Sequence, residues 1–214
     1  MRHRRRGRTL GRNPAHQRAL LRNLASSLFL TERDAEDEEN APKVKGRIIT
    51  TVEKAKEVRP LVERCITIAR NALPALEEAE KHGTTAERDT QDWKNWRSSD
   101  EYRQWNQAMA TVVTARRRAV RLLGNKQAVR LLFAEVAPRF VDRPGGYTRV
   151  LKLAKPRLGD AGNRAILEFV GVRDRVRQRS ERPAFESEPA PSTAETAAAT
   201  SSSEGGENEG QSES

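Results

Sequence analysis

Residues 129–152, VRLLFAEVAPRFVDRPGGYTRVLK, place a helix pattern, a break and a strand in immediate succession. Val129, Leu132, Phe133 and Val136 fall at i, i+3, i+4 and i+7, which predicts a helix with one buried face that stops before Pro138. Pro144, Gly145 and Gly146 predict a turn, and YTRVLKL (147–153) reads as a strand. A second strand-like run, RAILEFVGV (164–172), follows a loop that holds Pro156, Gly159, Asp160 and Gly162. The expected fold is therefore α+β, with helices packed on a small two- or three-stranded sheet.

Toward the N-terminus the helical signals continue. Residues 108–123 hold Met109, Val112, Val113, Ala119, Val120 and Leu123 as a stripe, with Arg117, Arg118 and Arg121 mostly off it; Gly124 and Asn125 supply a stop and a new start. The stretch 73–107 is polar apart from Trp93, Trp96, Tyr102 and Trp105, and reads as a helical excursion packed through those rings. Ala55, Val58, Val62, Cys65, Ile66, Ala69 and Leu73 predict a further helix opened by a capping box at Thr50 and Glu53, with a kink or restart at Pro60. Residues 44–50, VKGRIIT, read as a short strand before it, and the acidic run Glu32 to Glu39 as a surface loop. Asn13 and Pro14 open the first helix, whose stripe is Leu20, Leu24 and Leu28 with Leu21, Ala25 and Phe29 beside it. Arg18 and Arg22 fall one turn apart on another face.

Charge is segregated along the chain. The whole carries +10 over 214 residues, yet residues 1–30 hold eight arginines and no acid, and residues 181–214 hold eight glutamates and one arginine. A basic body with an acidic appendix points to a polyanionic partner, and nucleic acid fits better than a membrane surface. Arg2, Arg4, Arg5, Arg6, Arg8 and Arg12, interrupted by Gly7 and Gly11, form a cationic arm whose guanidiniums suit phosphate and unstacked bases; His3 adds a contact to phosphate or base. Arg18 and Arg22 extend that surface. A second cluster is Arg139, Arg143, Arg149, Lys152, Lys155 and Arg157, where Tyr147 and Arg149 alternate onto one strand face. Read alone, Tyr147 fits a half-buried core ring equally well.

Enzyme chemistry finds no support. Cys65 is the only cysteine and lies on an apolar stripe, and His3, His16 and His82 have no ligand spacing, so neither a nucleophile nor a metal centre is expected. No phosphate loop or dinucleotide fingerprint is present. We expect no catalytic residue, no cofactor, no metal, no small-molecule substrate and no membrane span. A DNA-binding architectural protein and an enzyme behind an Arg-rich transit peptide are the rival readings of the charge pattern.

Three blocks carry a resemblance: MRHRRRGRTLGRNPAHQRALLRNLASSL (1–28), ITTVEKAKEVRPLVERCITIAR (49–70) and the opening 129–152 segment. In order and spacing the chain resembles the bacterial large-subunit ribosomal protein seventeen family. Pro138, Arg139, Phe140, Arg143, Gly145, Gly146, Tyr147, Thr148 and Arg149 form the most specific part, extended by Arg157, Gly159 and Asp160. Pro60 and Arg64 depart from the family, where a proline tends to sit nearer the second position. The likeness spans about 1–30, 44–72 and 108–172; the acidic run, the Trp-bearing stretch and the tail beyond Asp174 lie outside it. It implies a non-enzymatic, structural constituent of the large subunit in the cytoplasm, bound to ribosomal RNA near the peptide exit tunnel beside neighbouring ribosomal proteins. The expected layout is a basic arm (1–12), an RNA-binding α+β domain (13–174) with an insertion at about 73–107, and a disordered acidic extension (175–214).

Overall fold

A computed structural model describes residues 8–35 and 39–171. Arg2, His3, Arg4, Arg5 and Arg6, most of the acidic run beyond Ala35, and the acidic extension lie outside the described residues. Helix α1 (Pro14–Leu30) starts where the sequence places it: Ala15 N–H donates to the Asn13 side chain at 2.8 Å, and Pro14 occupies the first turn. It buries Ala25, Ser26, Leu28 and Phe29, and leaves Arg18 and Arg22 exposed.

Strand β1 (Arg47–Thr51) leads directly into α2 (Val52–Arg70). The strand begins later than the predicted 44–50, and the cap is Thr51 instead of Thr50. Thr50 stays in the ladder opposite Ala165 and Thr51 opposite Arg164, which moves the first helical residue to Val52. Of the kink or restart expected at Pro60, the restart does not occur. α2 runs through the proline because Pro60 is on its exposed side, where the unbonded Lys56 carbonyl can face water. Ala55, Val58, Val62, Cys65, Ile66 and Ala69 are all fully buried, as the stripe predicted.

Helices α3 (Leu73–Lys81), α4 (Gln91–Ser98) and α5 (Asp100–Leu123) follow. α5 starts at Asp100, a full two turns before the expected resumption near Ala108, because its first turns pack rings and not core. Trp96 meets Tyr102 and Trp105 edge-on at 5.1 and 5.6 Å, Tyr102 stacks on Trp105 at 5.8 Å, and Arg97 lies over Trp93 at 5.0 Å. The Trp96 indole N–H donates to the His82 carbonyl at 3.0 Å, tying α4 to the end of α3.

Gly124 ends α5 at φ +75°, the left-handed value for which glycine carries no Cβ penalty, and Asn125 caps α6 (Lys126–Leu131) by accepting from Ala128 N–H at 3.0 Å. The next turn, Leu132–Val136, is π-helical, closed by Ala137 N–H to Leu132 carbonyl at 2.8 Å. Widening by one residue still buries Val129, Leu132, Phe133 and Val136. A 3₁₀ turn, Pro138–Phe140, follows.

Strands β2 (Thr148–Lys152) and β3 (Arg164–Phe169) complete a three-stranded antiparallel sheet, order β1-β3-β2, with Ala165 and Leu167 of the central strand fully buried. α2 lies against the sheet: the Thr148 hydroxyl donates to Glu63 at 3.0 Å. An aromatic chain of Phe29, Phe169, Phe140 and Tyr147, with centroids 5.2 to 6.3 Å apart, joins α1, the sheet and the 3₁₀ turn.

Candidate nucleic-acid interface

The cationic residues divide by what already holds them. Arg139 is clamped by Glu32, Nη1 to Oε1 at 2.9 Å and Nη2 to Oε2 at 2.7 Å, with Glu135 at 3.7 Å. Glu32, the first residue of the expected surface loop, is 2% exposed, so that expectation is corrected at this position. Its hydrogen bonds raise the already high pKa of Arg139 and keep the guanidinium charged. Gly46, at φ +75°, makes room for the clamp: a Cβ there would meet Glu32 Oε1 at 2.9 Å.

Arg149 pairs with Glu168 across the sheet, and Arg157 pairs with Asp160 within the β2–β3 loop, Nε to Oδ1 at 2.9 Å. Arg143 is half-buried, and its carbonyl accepts from Arg70 at 2.5 Å. Lys152 is exposed on edge strand β2. Much of the second predicted cluster is thus neutralised by the protein's own carboxylates.

Tyr147 requires a correction. It precedes β2 instead of lying within it, and after Gly145 (φ +151°) and Gly146 (φ +65°) the chain turns its ring inward, 1% exposed, against Phe140. The ring that could share a strand face with Arg149 is a core residue.

The first cluster is built differently. Arg8 and Arg12 are exposed, and the Gln17 amide holds the Arg8 carbonyl at 2.7 Å, which lays the end of the arm along the start of α1. Two α1 side chains reach the last turn of α5: Arg22 donates to the Arg121 carbonyl at 3.1 Å and Ser26 to the Leu123 carbonyl at 3.1 Å. Both satisfy carbonyls that a helix end leaves without intrahelical partners. They fix a groove of about 560 Å³ lined by Arg18, Arg22, Asn23, Ser27 and the α5–α6 turn, with no carboxylate in its lining.

Sequence reasoning missed a further set of exposed cations on α5 and α6. From Tyr102 to Ala134 the chain has no acid but seven bases, and Arg117, Arg118, Arg121, Lys126 and Arg130 are exposed. None of these five has a carboxylate within ion-pair distance among the described residues. The acid-free run was the available signal. Cys65 is fully buried, and burial pushes its thiol up to about 12, which leaves it a core residue.

The family model described as ribosomal protein L17 matches residues 20–170. A protein of Rhodopirellula baltica described as large ribosomal subunit protein bL17 is 64% identical over 186 residues, 87% of this chain and 89% of that one. The bL17 proteins of Nitratidesulfovibrio vulgaris and Lactobacillus helveticus are 38% and 36% identical, covering 79% and 76% of this chain and 87% and 98% of theirs.

Proposed function

The chain belongs to the ribosomal protein L17 family, and from that premise we propose that it holds ribosomal RNA through the arm, α1 and the α5–α6 surface, near the peptide exit tunnel. It is a non-enzymatic, structural constituent of the large ribosomal subunit, among RNA and other ribosomal proteins. The observation that carries the RNA reading is the carboxylate-free groove beside α1, where Arg18 and Arg22 stand exposed on a helix end fixed to α5. Arg8 and Arg12 continue that line of charge, and the arm residues Arg2 to Arg6 precede them in the chain. Affinity comes from counterion release, while shape and 2′-hydroxyl contacts, more than base-edge reading, set the site, because the A-form major groove is too narrow for side chains.

Binding of the full chain to deproteinised large-subunit RNA tests this. With on the order of eight phosphates neutralised, log affinity falls against log salt with a slope of roughly 5 to 7. Deleting residues 1–12, or changing Arg18 and Arg22 to Gln, weakens binding and flattens that slope. Unchanged binding, or a preference for duplex DNA in competition, defeats the proposal.

A further inference from the structure

A second groove, of about 460 Å³, lies between the last turns of α2 and the middle of α5 and shares no lining residue with the groove beside α1. Arg64 stands on one side and Arg118 on the other, both exposed and neither within ion-pair distance of a carboxylate among the described residues. The groove is lined by no acid. Beyond Thr111 a neighbouring cavity contains Glu78, which bounds the cationic region at that end.

The polar groups between the arginines have a particular polarity. The Thr67 hydroxyl donates its proton to the Glu63 carbonyl at 2.9 Å, and the Thr114 hydroxyl donates to the Ala110 carbonyl at 2.8 Å. With those protons committed to backbone, each oxygen offers lone pairs to an incoming group. Asn71 is biased the other way, because its Oδ1 accepts from Arg70 at 3.3 Å and its amide nitrogen remains a donor. The site therefore combines guanidiniums for an anion with two hydroxyl acceptors for a neutral donor. A DNA backbone supplies the anion but no 2′-hydroxyl, whereas a ribose-phosphate unit supplies both on adjacent atoms of one backbone unit, the feature that suits guanidiniums beside hydroxyl acceptors.

We infer that the α2–α5 groove holds a ribose-phosphate segment of RNA, with phosphate between Arg64 and Arg118 and a 2′-hydroxyl donating to Thr67 or Thr114. This rests on the RNA-binding reading above but on a groove that shares no lining residue with the one beside α1, so the chain grips RNA in two separate grooves.

Crosslinking in assembled subunits distinguishes the two. Because Cys65 is fully buried, Thr114→Cys introduces an accessible thiol that a photoactivatable crosslinker can label. Ala19→Cys does the same beside α1. Irradiated large subunits containing the Thr114→Cys protein should yield an RNA adduct. An adduct to a ribosomal protein, or none, while Ala19→Cys still captures RNA, overturns the inference and leaves the α1 reading intact; no RNA adduct from either overturns both. As an independent measure, Arg64→Gln with Arg118→Gln should weaken binding to deproteinised large-subunit RNA roughly tenfold at moderate salt and, with one phosphate released, lower the salt slope by about 0.8. An unchanged slope counts against the groove.

Discussion

Tyr147 shows how a single ring separates packing from recognition. Its hydroxyl is buried without a hydrogen-bond partner among the described residues, so Tyr147→Phe should change stability by less than about 1 kcal/mol, whereas Tyr147→Ala should cost about 3–5 kcal/mol in urea unfolding. RNA affinity of the Phe variant should match that of the parent; a clear loss would return the ring to the interface. Glu32 is the converse case, a carboxylate whose place is in the interior. Glu32→Gln removes one half of a two-pronged ion pair whose arginine is still partly exposed, and should cost about 1–2 kcal/mol by the same measurement. Asp160 gives a pH signature. The Arg157 guanidinium and then the Gly162 amide hold its carboxyl below the ordinary aspartate range. A depressed pKa means that the contribution is present above that ordinary range and is lost as pH falls through the lower folded value. Carboxyl titration by NMR should place Asp160 below its unfolded value, and Arg157→Ala should move it upward.

At the scale of elements, the apolar periods are legible because each records a local requirement: one helix face against one core. The α2 stripe and the run from Val129 to Val136 therefore match their burial, and the α1 stripe does so from Ala25 onward, with Leu20, Leu21 and Leu24 half-buried. The departures arise where a partner distant in sequence decides the outcome. Glu32 reads as loop because Arg139, which draws it inward, is 107 residues away, and Thr50 reads as a cap because its strand partner Ala165 is equally invisible locally. The ring-packed helical excursion is legible, but the start of α5 at Asp100 is not, because Tyr102 and Trp105 pack on Trp96 outside the main core and leave no core stripe to mark it. The charged site is legible by composition but not by pairing: arginine content alone cannot tell Arg149, engaged by Glu168, from Arg118. Two substitutions test the helices. Pro60→Ala should stabilise the protein by up to about 3 kcal/mol, since the proline sits inside an intact, exposed helical turn. Gly124→Ala should destabilise it by about 1 kcal/mol through backbone strain alone, because no atom would crowd the new Cβ. Thermal unfolding at fixed pH measures both.

For the molecule as a whole, Arg18, Arg22, Arg117, Arg118, Arg121, Lys126 and Arg130 on α1, α5 and α6 have no carboxylate partner among the described residues, whereas Arg139, Arg149 and Arg157 near the sheet are paired, so salt should affect the two sets unequally. Raising ionic strength should weaken RNA binding steeply while leaving the Arg139–Glu32 clamp, with Glu32 almost fully enclosed, largely intact. The salt dependence of affinity and of the unfolding midpoint, measured on the same preparation, checks this; parallel slopes would contradict it. The bond from Ser26 to Leu123 spans 97 residues, and that span has a consequence in time. At roughly 5–20 residues per second of synthesis, the apolar side of α1 emerges on the order of 5–20 s before the segment that covers it. During that interval the like charge of the first thirty residues acts against contact with other nascent chains, so the N-terminal arginines favour solubility before the fold closes.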